Sequence, residues 1–326
     1  MMEDVIIIGA GPCGLSTAIE LKKTGYNPLI LEKGCIANSI YHFPLGMTFF
    51  SSPDKIEIGD VPFPTVHEKP TRQEGLTYYR RLSEHFQLRI HPYQPVDCIK
   101  VSPQHFEVWT TYRGKKQIFH SKNLVVSTGY YGKANLLNIP GEGLPHVNHY
   151  FREAHPYAGR NVVVIGGKNS AVDIALELSY VRAKVTMVYR KSTFQSSVKA
   201  WVKPLIESAI ASGKVKMFWQ TEVDEITEDE VLVHQQGEKF QIPAEFVFAM
   251  TGYRPDVTLL QRAGVQFHPQ STVPIFSESM ETTVPNLYVA GVVICGDETS
   301  KVFIENGRLH GKKIAKAIKQ REKIMD

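Results

Sequence analysis

Three glycines, Gly9, Gly11 and Gly14, surround the one N-terminal side chain able to act as a nucleophile, Cys13. In the G-x-G-x-x-G spacing the first glycine allows a tight turn and the second lets the backbone approach a pyrophosphate. The third lets a helix pack close to a strand. An acidic residue, Glu32, follows roughly twenty residues on, where a carboxylate can hold a ribose hydroxyl. Further along, Gly166-Gly167-Lys168-Asn169-Ser170-Ala171 repeats the pattern, and Arg190-Lys191 stand where its acidic residue would fall. A basic pair there accommodates a 2′-phosphate. These residues imply binding of two dinucleotides, the second phosphorylated on its ribose.

Each motif needs a strand before it and a helix after it. Val5-Ile6-Ile7-Ile8 is apolar, β-branched and glycine-bounded, which predicts a buried parallel strand, and 15–21 predicts a helix. The helix N-terminus then faces the phosphates. A strand over 28–31 delivers Glu32. In the second half, a strand over 161–165, a helix over 172–178 and a strand over 184–189 deliver Arg190. Lys168 sits where the second glycine normally lies. Either the pyrophosphate is held slightly further away or the lysine itself contacts it. Each half also has an apolar strand ending in Thr-Gly: 123–127 before Thr128-Gly129-Tyr130, and 246–250 before Thr251-Gly252-Tyr253-Arg254.

An acidic partner at the first site and a basic partner at the second suit FAD and NADPH respectively, and the reaction implied is hydride transfer to a further acceptor. Between the motifs, 72–86 has helical spacing with Leu76, Tyr79, Leu82 and Phe86 on one face. Strands at 88–90, 106–112 and 117–120 predict a small sheet inserted before the parallel strand at 123–127. The stretch 134–160 lacks periodicity and reads as an interdomain crossing. A helix containing Val202, Leu205, Ile206 and Ile210 follows, then strands at 216–219 and 231–234. A last strand over 286–291 returns to the first domain, ahead of a C-terminal helix beginning near Glu305. The expected fold class is α/β, with two Rossmann-like three-layer dinucleotide-binding domains. Residues 1–156 and 255–326 form a discontinuous FAD-binding domain, and an NADPH-binding domain of 157–254 is inserted into it.

The expected cofactor contacts begin with Gly9, Gly11, Pro12, Gly14, Glu32 and Lys33. The irregular stretch from Lys33 to about Pro70 adds Asn38, Ser39 and Thr48, which either touch the first cofactor or a substrate or belong to a covering loop. Val96, Thr128, Gly129 and Gly291 complete the first half. In the second, Gly166, Lys168, Asn169, Ser170 and Ala171 are joined by Arg190, Lys191, Gly252 and Arg254. The bland alternative for Arg190 and Lys191 is two solvated surface charges, which their matching position disfavours.

Composition narrows the class. The chain has 326 residues, a formal charge of +4 and no long basic block, which argues against nucleic acid as a partner. No apolar run approaches the roughly 20 residues needed to cross a bilayer, so a cytoplasmic protein without a membrane partner is expected. Cys13, Cys35, Cys98 and Cys295 are scattered, with no C-x-x-C and no metal-ligand spacing. No metal is expected, and thiol chemistry would have to use single cysteines.

The paired turns, with Thr128-Gly129 and Thr251-Gly252-Tyr253-Arg254-Pro255-Asp256, resemble the thioredoxin-reductase-like two-dinucleotide-domain flavoproteins over nearly the whole chain. The redox C-x-x-C of thioredoxin reductases is missing. The chain is more similar to the bacillithiol disulfide reductases of low-GC Gram-positive bacteria. That resemblance lies in Gly11-Pro12-Cys13-Gly14, Asn38-Ser39-Ile40-Tyr41 and Thr48-Phe49-Phe50-Ser51-Ser52. It extends to Gly166-Gly167-Lys168-Asn169-Ser170-Ala171 and Phe303-Ile304-Glu305-Asn306-Gly307. It implies FAD- and NADPH-dependent reduction of a low-molecular-weight disulfide, with Cys13 as the catalytic thiol. A homo-oligomer acting on a small-molecule disulfide is the expected assembly. The wider group's C-terminal Ala-Gly-Asp appears as Ala290-Gly291-Val292, which removes an expected flavin contact, and Asp297 lies too far along to replace it.

Three other readings fit some residues. A flavin monooxygenase also pairs FAD with NADPH, and Asn169-Ser170-Ala171 suits it, but its F-x-G-x-x-x-H linker is not reproduced. A ferredoxin or flavodoxin NADP reductase would need a basic docking face. A non-catalytic NADPH and thiol redox sensor would use Cys13 as a switch. For Cys13 itself, a helix N-terminus favours the thiolate, which attacks disulfides. A bound pyrophosphate opposes ionisation there, and any small side chain would also serve at that turn position.

Overall fold

A computed structural model describes residues 2–325 except 297 and 300; the side chains of 323–325 are likewise not described. It divides into two compact units, 1–133 with 253–326, and 134–252.

The first unit opens with β1 (Met2–Ile8), α1 (Pro12–Lys23) and β2 (Leu29–Leu31). Short helices α2 (Asn38–Tyr41) and α3 (Pro53–Ile56) interrupt the proline-rich stretch before α4 (Arg72–His85). Thr71 and Glu74 close a reciprocal capping box at the start of α4, satisfying backbone donors that a helix end otherwise leaves open. Strands β3 (Arg89–His91), β4 (Val96–Val101), β5 (Phe106–Tyr112) and β6 (Lys115–Val126) follow.

The second unit contains β7 (Val147–Asn148), β8 (Asn161–Ile165), α5 (Asn169–Tyr180), β9 (Lys184–Tyr189) and α6 (Lys203–Ala211). It continues through β10 (Val215–Trp219), β11 (Thr221–Ile226), β12 (Glu230–Gln235), β13 (Glu238–Pro243) and β14 (Phe246–Ala249). The chain then returns to the first unit with α7 (Thr258–Arg262), β15 (Leu287–Val289), α8 (Ile304–Gly307) and α9 (His310–Met325).

Among the described residues the first unit carries a seven-stranded sheet, ordered β3-β2-β1-β6-β5-β4 with β15 also paired to β6. Strand β1 runs parallel to both neighbours, with Ile6 opposite Leu29 and Leu124. Strand β6 does two jobs. Its first half pairs antiparallel with β5 and its second half pairs parallel with β1 and β15. Two strands were expected at 117–120 and 123–127, but they are one strand, because no turn residue separates His120 from Asn123 and Ser121 is fully buried between them. Strand β4 was not anticipated, since its sequence Val-Asp-Cys-Ile-Lys-Val buries only Ile99 fully.

In the second unit a five-stranded sheet is ordered β10-β9-β8-β14-β7, with a separate three-stranded antiparallel sheet β11-β12-β13. The expected boundary between 156 and 157 is corrected to between 133 and 134. Strand β7 pairs parallel with β14, so the aperiodic stretch supplies an edge strand to the second unit's own sheet. The later boundary falls between 252 and 253 rather than after 254. The expected C-terminal helix is two, with Arg308 and Leu309 between α8 and α9. Asp297 lies outside the described residues.

Helix α5 is held by a buried face of Ala171, Val172, Ile174, Ala175, Leu176 and Leu178. On the same helix Asp173 and Glu177 lie one turn apart. Burial, with Glu177 adding repulsion, pushes the Asp173 carboxyl up from 3.8 to about 6. A raised carboxyl stabilises the folded state below its unfolded value, and that contribution is lost as pH rises through the folded value. Asp173→Asn is therefore expected to stabilise the protein by about 1–3 kcal/mol at pH 8 and by nothing near pH 3, read as the pH dependence of the unfolding midpoint. Equal midpoints for variant and wild type at pH 8 would contradict this.

Candidate active site

The first turn is built by close approach. Gly9 has φ +109°, and a Cβ there would lie 2.6 Å from the carbonyl oxygen of Ser127, at the end of β6. A Cβ on Gly14 would lie 2.0 Å from the Gly9 carbonyl oxygen, so α1 can pack this tightly only with glycine at its third position. The Ser127 hydroxyl donates toward the carbonyls of Ile8 and Gly9 at 2.9 and 3.1 Å, and the Gly9 amide donates to Leu31 at 2.8 Å. The turn is thus tied to strands on both sides of β1.

Glu32 is buried, and its carboxylate braces the same turn. One oxygen accepts from the Ala10 amide at 2.7 Å and the other from the Gly34 amide at 2.8 Å. Each oxygen keeps a further lone pair for a ribose hydroxyl. Ala37, in a left-handed conformation at φ 56°, donates its amide to the Ala10 carbonyl and so fixes the loop carrying Asn38 and Ser39. The Asn38 amide oxygen faces the Cys35 amide and thiol, and Ser39 Oγ stands 3.9 Å from where a Cβ on Gly129 would be. Lys33 lies exposed, its ammonium beside Gly132. Thr48 is exposed and forms an isolated bridge with Thr71. Val96 begins β4, two residues past Gln94, whose amide donates to the Glu32 carbonyl.

Three observations fit an anionic dinucleotide at this turn. No side chain caps α1, whose first residue is Pro12, so its N-terminal amides are free to meet an anion. A Cβ on Gly11 would meet nothing within 4 Å. The buried Thr128 hydroxyl has no hydrogen-bond partner among the described residues, which is costly unless a bound group supplies one.

The second turn repeats the construction. A Cβ on Gly166 would lie 2.5 Å from the Met250 carbonyl oxygen and 3.1 Å from the Ala171 Cβ. Ala171 is buried and takes the helix-packing place that Gly14 takes in the first turn. Lys168 is the exposed N-cap of α5 without a side-chain cap, and Ser170 is exposed beside it. Asn169 turns sideways, donating to the Ser197 carbonyl at 2.9 Å and accepting from the Lys199 amide at 3.0 Å. It braces the loop after β9. Arg190 and Lys191 are exposed at the end of β9, and neither forms an ion pair among the described residues. Gly252, at φ +93°, accepts from the Asn135 amide, while Arg254 is exposed just beyond the unit boundary.

Cys13 is placed differently from its expectation. Its sulfur sits in a niche between two glycines: a Cβ would lie 2.9 Å away on Gly291 and 2.8 Å away on Gly307. Burial pushes the thiol up to about 12, opposite to the lowering expected of a helix N-terminus, although Cys13 as a whole is half-buried. The four cysteines are all free thiols.

With this geometry in hand, comparison with known proteins is informative. Residues 6–291 match the profile of the pyridine nucleotide-disulphide oxidoreductase family. The chain belongs to that family. A relative of this oxidoreductase, bacilliredoxin reductase Bdr of Bacillus subtilis (strain 168), is 44% identical over 326 residues, covering 99% of each chain. The solved bacillithiol disulfide reductase Bdr (YpdA) of Bacillus cereus is 46% identical with a TM-score of 0.97, covering 98% of this chain and 100% of its own. Its Staphylococcus aureus counterpart is 42% identical with a TM-score of 0.95, covering 99% of each. Among the described residues, no helix of the oxidoreductase is long and apolar enough to cross a membrane.

The oxidoreductase also uses residues that sequence spacing did not single out. Ser127 and Asn135 hold the two Thr-Gly turns, and nothing local marks them as special. His310, at the start of α9, accepts a hydrogen bond from the Gly291 amide at 3.1 Å and so pins the turn beside Cys13. Burial lowers this imidazole from 6.5 to about 4, with Lys313 adding repulsion. A neutral buried histidine contributes stability above its unfolded value, and that is lost as pH falls through the folded value. Unfolding free energy should therefore fall by about 3 kcal/mol between pH 7 and pH 4 on account of His310. His310→Gln should flatten that part of the stability profile, and an unchanged profile would contradict the assignment.

Proposed function

We propose that this chain is an FAD-dependent NADPH oxidoreductase that reduces the disulfide of a low-molecular-weight thiol, namely bacillithiol disulfide. The reading rests chiefly on its likeness, at 42–46% identity over nearly the whole chain, to solved structures that carry that name. It is also supported by a double set of glycine turns in a chain without a C-x-x-C. A cytoplasmic homo-oligomer belongs to the same proposal.

In this reading Gly9, Gly11, Pro12 and Gly14 receive the pyrophosphate of FAD, Glu32 and Lys33 its ribose end, and Asn38, Ser39, Thr48 and Val96 flank it. Thr128, Gly129 and Gly291 line the remainder. Gly166, Lys168, Ser170 and Ala171 receive NADPH, with Asn169 holding the adjoining loop. Arg190 and Lys191 take the 2′-phosphate, and Gly252 and Arg254 belong to the same set of cofactor contacts. When bound, FAD would supply a redox-active ring able to take hydride from NADPH and pass electrons to a disulfide. The residues' share is positioning and charge: α1 and α5 present uncapped amides to anions, and Thr128 offers a buried hydroxyl.

Cys13 enters the proposal by position, as the thiol that meets the substrate. The role requires its pKa to fall on loading, because at about 12 only about one thiol in 10⁵ is ionised at pH 7.

The deciding assay follows NADPH consumption by the flavin-loaded protein across bacillithiol disulfide, other low-molecular-weight disulfides, oxidised bacilliredoxin and oxygen with candidate oxygenation substrates. Bacilliredoxin is included because the B. subtilis relative is named for it. Preference for bacillithiol disulfide is expected, and oxygenated product would indicate a monooxygenase instead. Replacing Arg190 and Lys191 by Ala should raise KM for NADPH about 10–100-fold and leave KM for NADH unchanged, as expected for losing hydrogen bonds to a charged group. Equal effects on both cofactors would contradict the 2′-phosphate role. Cys13→Ala should abolish disulfide-dependent turnover while NADPH oxidation by an artificial acceptor persists. Full disulfide turnover would make Cys13 a packing residue.

A further inference from the structure

In the first unit, at the end of the sheet away from the glycine turn, three side chains meet that the proposed reaction does not use. Strand β5 pairs antiparallel with β6 so that Glu107 stands directly opposite His120. Opposed residues project from the same face, and His105, two residues before Glu107, follows the period-two alternation onto that face. A hydrogen bond from the Ser102 amide to the His105 carbonyl closes the turn that holds His105 in place. The two imidazoles lie with ring centres 5.3 Å apart. One donor atom from each of His105, Glu107 and His120 falls within 4.8 Å of the others, and all three residues are half-buried.

The surroundings orient these donors. Trp109 Nε1 donates to the Glu107 carboxylate at 3.1 Å, an outer contact of the kind that fixes a ligating carboxylate. Lys100 is the cross-strand neighbour of Glu107 on β4, yet its ammonium lies over the Trp109 ring, 4.5 Å from the centroid. No ion pair to the Glu107 carboxylate forms among the described residues.

We infer that His105, Glu107 and His120 form a binding site for a first-row divalent transition cation of the zinc type. Two imidazoles and one carboxylate suit zinc, cobalt or nickel and disfavour magnesium and calcium, which take oxygen sets. Tetrahedral coordination at about 2.1 Å brings donors to about 3.4 Å of one another. Small rotamer changes of half-buried side chains close the present separations to that value, and water takes the fourth position. The site lies apart from the glycine turn. His120 pairs with Met2 at the start of β1, six residues and about 20 Å from Ile8 at the glycine-turn end. The cation cross-links β5 to β6 where the antiparallel part of the sheet becomes parallel.

The test uses the full-length, flavin-loaded, tag-free protein after chelator treatment, titrated with Co²⁺. One equivalent is expected to bind, with the weak visible bands of a nitrogen and oxygen site and no thiolate charge-transfer band. His105→Ala and the shape-conserving Glu107→Gln should each weaken binding at least ten-fold while leaving NADPH oxidation unchanged. Absence of saturable binding to the wild type overturns the inference. So does equal affinity in both variants, or a thiolate band that assigns the cation to a cysteine.

Discussion

Everything in the first unit that could touch a nucleotide depends on one close approach, the Ser127 carbonyl pressing against Gly9 at the end of two parallel strands. No Cβ fits there, so the chain turns at Gly9 and α1 starts at once. The Gly9 carbonyl in turn crowds Gly14 and fixes how deeply the helix seats. Glu32 completes the arrangement from the next strand. Its carboxylate is held by the amides of Ala10 and Gly34 before any ligand is considered. A residue recognised as a ribose partner is therefore also a brace, and replacing it would disturb the turn as well as the contact.

The second unit solves the same problem with different side chains. The Met250 carbonyl plays the part of Ser127, and Ala171 replaces the third glycine because a single methyl still fits against Gly166. Lys168 caps the helix position from outside and stays exposed, so the turn keeps its shape without the middle glycine. The charge at the end of the next strand is reversed, from the buried Glu32 to the exposed Arg190 and Lys191. A carboxylate hydrogen-bonded to backbone amides tolerates withdrawal from water, whereas cations without such partners stay in solvent.

What the sequence made legible was the part written in glycines and β-branched runs. The strands, turns and helices of both nucleotide units follow from steric rules that act over a few residues. The single strand β6 and the membership of 134–156 in the second unit were not legible, because both are decided by pairing with strands distant in the chain. His310 was invisible for the same reason: its partner, the Gly291 amide, is nineteen residues away. Cys13 shows a subtler limit. Its position at a helix start was readable, but the niche between Gly291 and Gly307 that receives its sulfur belongs to tertiary packing, and burial there raises the thiol pKa.

The proposed reaction passes electrons from NADPH through FAD to a disulfide. The most direct measurement is an anaerobic mixing experiment in which the flavin absorbance of the purified holoprotein is followed on addition of NADPH and then of bacillithiol disulfide. The account requires the absorbance to bleach with NADPH, far more slowly with NADH, and to recover on addition of the disulfide. A flavin that NADPH reduces and that only oxygen restores would contradict it.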